Sequence, residues 1–192
     1  MNSPLKSLHK YSYREFQYFP NDGFRHEIID GDHYMSPAPS TKHQTVSRRL
    51  QFQIYSQIEL TGLGQIFDAP TDVELAPHDI VEPDLIVVMN NRISIITPSR
   101  ILGVPHLVIE ILSPSNPNHD RVLKFEMYAR TGVAEYWIVD PEEETVAQWV
   151  LQDGDYKLLG THCDSFRCHS IQEISIDLAR VWQYLVLAYS GF

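Results

Sequence analysis

The chain has 192 residues, 43% hydrophobic and 21% charged, which is enough apolar material for one substantial core and too much for wholesale disorder. Its formal net charge of -10 argues against a protein that coats nucleic acid, because such binding is largely counterion release by Lys and Arg; a local basic face on an acidic molecule stays possible. No apolar run reaches the ~18 residues that cross a bilayer, the segment MNSPLKSLHKYSYREF has no signal-peptide core, and Cys163 and Cys168 are too few for a disulfide scaffold, so a cytoplasmic protein forming a single domain over 1–192 is expected.

Residues 11–19 (YSYREFQYF) predict a short helix, and FRHEIID and HYMSP predict two strands joined at Asp30-Gly31, a dipeptide suited to a tight hairpin turn. In TKHQTVSRRLQFQIYSQIEL the residues Val46, Leu50, Ile54 and Ile58 recur every fourth position before Gly62 and Gly64, which predicts a long helix. Three runs follow, GQIFDAPTDVEL, EPDLIVVM and PHLVIEIL, dense in Val, Ile and Leu as central strands covered on both faces are. A helix from about Asn118 to Arg130 should stop near Gly132, and EYWIVD reads as another strand. TVAQWVLQDGDYKLLG predicts a hairpin turning at Asp153-Gly154, and SIDLARVWQYLVLAY a closing helix. The expected architecture is α/β: a core of helix, three strands, helix and strand, with an N-terminal helix and hairpin and a C-terminal hairpin plus helix.

Strand alternation in HLVIEIL sets His106, Val108, Glu110 and Leu112 on one face. An ionised carboxylate left unpaired in that apolar layer is costly, so Glu110 calls for a metal, a proton, or an ion pair with an arginine such as Arg121. Asp84, directly after Pro83 at the head of DLIVVM, reads alone as a solvated turn residue. Together with Glu110 on another apolar strand it makes an all-oxygen site for Mg2+ possible, with Mn2+ as its substitute. Zn2+ would want nitrogen or sulfur ligands; His162, Cys163, Cys168 and His169 supply such atoms without the spacing of a zinc module. Trp137, Trp149 and Trp182 sit in apolar patterns and read as core residues.

The stretches EPDLIVV, HLVIEILSPSN and DRVLKFEMYARTGVAEYWIVDP lie in a longer match running from HEIIDGDHYMSPAPSTKHQ to EYWIVDPEEETV. They resemble the PD-(D/E)xK nuclease superfamily and, within it, the bacterial Uma-two family of restriction-endonuclease-like proteins. The resemblance implies a restriction-endonuclease-like fold, a Mg2+-type cofactor, DNA as substrate, phosphodiester hydrolysis and a homodimer. Carried over by position, Asp84 and Glu110 are the two acids of the motif and the metal ligands. The lysine departs from the superfamily pattern, since Leu112 stands two residues after the second acid. The Uma-two pattern takes its lysine from the following helix, here Lys124, four residues from both Asp120 and Tyr128; an exposed Lys124 paired with Asp120 is the alternative.

The matched segments add Glu27 as a further carboxylate, or an exposed strand glutamate, and His43 and Gln44 as contacts to phosphate or to a metal-bound water, or simply a polar helix start. Lys42, Arg48 and Arg49 are the strongest basic cluster of the first half, candidates for contact with the DNA backbone, or a solvated helix face. The resulting reading is a Mg2+-dependent DNA endonuclease, a hydrolase in which Asp84, Glu110 and Lys124 are catalytic. The alternative is a catalytically inactive nuclease-fold module for DNA binding or assembly, favoured by the acidic balance and the absent strand lysine. A third reading is an interaction protein without metal in which Glu110 pairs internally.

Overall fold

In the computed structural model, which describes residues 9–113 and 119–183, both hairpins form where their turn dipeptides stand. β1 (Arg25–Ile29) and β2 (Asp32–Ser36) pair antiparallel across Asp30 and Gly31, both at positive φ, 49° and 80°, as a two-residue turn matched to strand twist requires. The helix expected over 11–19 shrinks to α1 (Tyr13–Phe16), opened by a capping box between Ser12 and Glu15. It stays short because the flanking aromatics pack on each other and on the hairpin: Tyr11 meets Phe19 edge-on, and Phe19 lies 4.4 Å from the His33 ring.

α2 (Thr41–Ile58) begins at Ser40, whose Oγ accepts the His43 N–H and satisfies one of the orphan donors of the first turn. Its buried stripe is Val46, Leu50, Ile54 and Ile58, and His43 extends it toward the N-terminus.

The three predicted apolar runs yield four strands, β3 (Gly64–Asp68), β4 (Val73–Ala76), β6 (Leu85–Met89) and β8 (Leu107–Ile111), and two short strands outside those runs, β5 (Asp79–Val81) and β7 (Ile101–Leu102), were not expected. GQIFDAPTDVEL divides at Pro70, which has no N–H to continue a ladder; β3 pairs with β6, while β4 joins a different sheet between β5 and β7. After one π-helical turn over His119–Lys124 comes α3 (Phe125–Thr131), which stops at Gly132 with φ 89°. β9 (Glu135–Asp140) then lies parallel to β8, the pairing that a helical crossover permits. β10 (Thr145–Gln152) and β11 (Asp155–His162) form the second hairpin at Asp153-Gly154, and β12 (Ser165–Arg167), β13 (Ser175–Asp177) and α4 (Leu178–Trp182) follow. Of the predicted helices, Asn118 and the closing stretch 184–192 lie outside the described residues.

The six-stranded sheet runs β11-β10-β9-β8-β6-β3, and the five-stranded one β2-β1-β5-β4-β7. Within this mixed α/β fold, α2, β3, β6, β8, α3 and β9 give the expected helix, three strands, helix and strand. One face of the larger sheet, with Leu85, Val87, Leu107, Ile109 and Trp137, packs on the stripe of α2. The other, with Ile86, Val88, Val108, Leu112 and Tyr136, packs on α3 and on Val73 and Val81 of the smaller sheet. Trp137 and Trp182 are buried and Trp149 is half-buried. Among the described residues no helix is long and apolar enough to cross a membrane.

Candidate functional site

β6 and β8 run antiparallel with Leu85 opposite Ile109 and Ile86 opposite Val108. One step further, that register sets Asp84 opposite Glu110, on the face shared by Ile86, Val108 and Leu112. Both acids are buried, 3% and 2% exposed. Asp84 Oδ1 accepts a hydrogen bond from Arg25 Nη1 at 2.7 Å; its Oδ2 accepts the Ile111 N–H at 2.8 Å and lies 3.0 Å from His43 Nε2. Burial alone would raise the Asp84 carboxyl, but His43, Arg25 and the Ile111 amide outweigh it and hold the group down at about 2. Burial likewise works against the Arg25 charge, and Asp84 more than offsets it, so the guanidinium keeps its proton more tightly than usual.

The second acid is tied to the helix that follows it. Lys124 Nζ stands 2.9 Å from Glu110 Oε1 and 2.8 Å from Glu27 Oε1, and at 3% exposure Lys124 is not the solvated helix lysine of the alternative reading. Tyr128, one turn along, donates its hydroxyl to Glu110 Oε1 at 2.7 Å. Burial, then the Glu110 charge, holds that phenol well above its ordinary range. Glu27 is buried as well, not an exposed strand residue, and accepts the Glu82 N–H at 3.0 Å. The cluster therefore straddles the two sheets: Arg25 and Glu27 come from β1 of the smaller, while Asp84 stands at the entry to β6 and Glu110 within β8 of the larger.

Glu27, Asp84 and Glu110 face Arg25, Lys124 and the His43 ring. Glu82 is half-buried, and burial, then the charges of Asp72 and Glu27, push its carboxyl up to about 7. His43 Nδ1 is buried with no hydrogen-bond partner among the described residues. Hard carboxylate oxygens are what a divalent cation of the Mg2+ type takes. Among the described residues no group of three or more His, Cys, Asp or Glu side chains forms a metal cage, and two carboxylates suit an ion that keeps waters and completes its shell with phosphate.

The structure thus brings Glu27, His43, Asp84, Glu110 and Lys124 together. Gln44 is exposed beside them and lines a cavity shared with Arg25 and Glu82. The basic trio lies elsewhere: Lys42 pairs with Glu142 at 2.9 Å, Arg49 donates to the Val181 carbonyl at 2.8 Å, and Arg48 is exposed in a separate cleft with Phe52 and Arg180. Sequence reasoning missed Arg25, Glu82 and Tyr128. Each had a signal: Arg25 is two residues from Glu27 on one strand face, Tyr128 is four from Lys124 on one helix side, and Glu82 opens the EPD motif. His162, Cys163, Cys168 and His169 do not converge; Cys168 Sγ donates to Glu135 Oε2 at 3.2 Å, His162 lies against Gln148, and Cys163 is exposed. Glu135 also accepts from Trp137, Gln148 and the Ser170 amide, which ties the 163–170 segment to β9.

A family model described as "Uma2: Putative restriction endonuclease" matches residues 13–179. The uncharacterised protein slr1290 of Synechocystis sp. (strain ATCC 27184 / PCC 6803 / Kazusa) is 26% identical over 140 residues, 72% of each chain. The crystal structure of a putative nuclease belonging to DUF820 from Anabaena variabilis ATCC 29413 matches with a TM-score of 0.71 at 21% identity, over 91% of this chain and 99% of that one. At that identity the likeness concerns the fold.

Proposed function

The chain belongs to the Uma2 family, and from that premise we propose that it is a Mg2+-dependent DNA endonuclease, a hydrolase of phosphodiester bonds. The observation that carries the reading is the buried pair Asp84 and Glu110, opposite each other across β6 and β8, with the Lys124 ammonium 2.9 Å from Glu110. Asp84 and Glu110 would hold the cation. When bound, Mg2+, or Mn2+ in its place, supplies Lewis-acid polarisation of the phosphoryl oxygen and offsets charge on the leaving oxygen.

The chain's own groups do the rest. His43 and the Ile111 amide fix the Asp84 carboxylate, and Tyr128 fixes that of Glu110. Lys124, aimed by Glu27, places a fixed positive charge where negative charge grows on the phosphoryl group and holds the attacking water. Arg25, at the edge of the neighbouring cavity, holds the other Asp84 oxygen and so completes the orientation of that carboxylate. Arg48, exposed beside Arg180, serves the backbone farther along the duplex, and a homodimer supplies one site per strand.

The test is incubation of the full chain with supercoiled plasmid in Mg2+ or Mn2+. Nicked or linear product is expected from the wild type and none from Asp84→Ala or Glu110→Ala, with Lys124→Met slower by about 100-fold or more; undiminished cutting by Glu110→Ala overturns the assignment. A second reading, an inactive nuclease fold that binds DNA, is favoured by the fact that Arg25, His43, Lys124 and Tyr128 already engage the carboxylate oxygens a cation would use. Melting curves separate the two. A rise in Tm with Mn2+ but no cleavage favours the inactive binder, and no divalent effect at all favours a purely internal ion-pair network.

A further inference from the structure

A cavity of about 390 Å³ adjoins the acidic cluster, within the roughly 300–1,000 Å³ of small-molecule sites. Phe16, Phe19 and Phe24 form its aromatic wall, and Arg25, Gln44 and Glu82 bring polar groups. Phe19 packs against the rings of His26 and His33 at 5.6 and 4.4 Å, so that side of the wall is supported from behind, while Phe24 is 48% exposed. Arg25 joins the cavity to the cluster through its side-chain bond to Asp84, and Glu82 through its backbone N–H to Glu27, so an occupant lies one residue away from the acids, separated from them by Arg25 and Glu82.

The lining selects the class of occupant. Arg25 is matched by Asp84, among the described residues no lysine and no other arginine lines the space, and Glu82 is acidic, which disfavours a phosphate. Aromatic faces beside an amide, a guanidinium and a carboxyl group suit a flat heterocycle with a hydrogen-bonding edge. We propose that this cavity receives one unstacked nucleobase of the strand whose phosphodiester lies at Asp84 and Glu110. The proposal rests on the nuclease reading and adds a base-selective subsite to it.

Saturation-transfer NMR on the full chain in chelator tests it, with dAMP, dCMP, dGMP, dTMP and 2-deoxyribose 5-phosphate as probes of wild type and Phe24→Ala. Saturation of the base protons of at least one nucleotide is expected, with no binding of the sugar phosphate and about 10-fold weaker nucleotide binding by Phe24→Ala. Unchanged melting of the variant confirms that only the wall was altered. Equal binding of the sugar phosphate, undiminished binding by Phe24→Ala, or no nucleotide binding overturns the subsite. Plasmid cleavage run on the same preparation keeps the two ideas apart. Nucleotide binding without any cutting overturns the nuclease reading alone, and cutting without base-dependent binding overturns the subsite alone.

Discussion

Replacing Lys124 by methionine keeps most of the side-chain volume and removes the ammonium that lies 2.8 Å from Glu27 and 2.9 Å from Glu110. Both carboxylates are at most 3% exposed, so water cannot readily replace the lost partner. Breaking a buried ion pair from one side costs about 3–5 kcal/mol, a large part of the roughly 5–15 kcal/mol that holds a domain folded. For a chain of this size that is a fall in Tm of about 6–20 °C. Urea unfolding at pH 7.5 in chelator measures it. Adding Glu27→Gln to Lys124→Met removes one of the stranded charges and should restore at least about 1 kcal/mol, a coupling that a double-mutant cycle resolves. A loss under about 1 kcal/mol at pH 7.5, or no recovery on adding Glu27→Gln, refutes the picture of a desolvated ammonium joining two acids.

The Glu82 carboxyl is held at about 7 against an ordinary 4.5, so its ionisation disfavours the folded state, and metal-free protein should lose stability as the pH rises from about 4.5 through about 7. Glu82→Gln should flatten that part of the Tm profile, and an unchanged slope contradicts the assignment. Glu135→Ala strands the donors of Trp137, Gln148 and Ser170, and urea unfolding should show a loss of about 1–3 kcal/mol or more; near-neutral stability would mean that the 163–170 segment is anchored by something else.

Local rules carried the regular elements. The four-residue stripe of α2 and the Asp-Gly turns of both hairpins are set by neighbours a few positions away, and a sequence displays those directly. The division of GQIFDAPTDVEL between two sheets was harder, because Pro70 marks the break but not the destination of β4. The two-residue β7 exists through its pairing with β4 and the bridge from Ile101 to Ile96, and carries no pattern of its own. At the site, Glu110 was legible because a charge inside an apolar strand demands compensation. Its compensators were not: Arg25 is 59 residues from Asp84 and Lys124 is 14 from Glu110 across a helical turn. Whether Glu27 and Lys124 are buried depends on β1 and the π-helical turn before α3 meeting through that pair, which is tertiary information. Lys42 shows the converse, since a basic helix start looked free until Glu142 came to meet it.

Because the charged groups are drawn from both sheets, they act as the joint between them. Arg25 and Glu27 cannot stay paired with Asp84 and Lys124 if the β1–β2 hairpin lifts away from the larger sheet, so opening of that hairpin and loss of ionic balance at the centre are one event. Amide exchange along β1 should therefore rise when those pairs break, in a ladder that itself bears neither Asp84 nor Glu110.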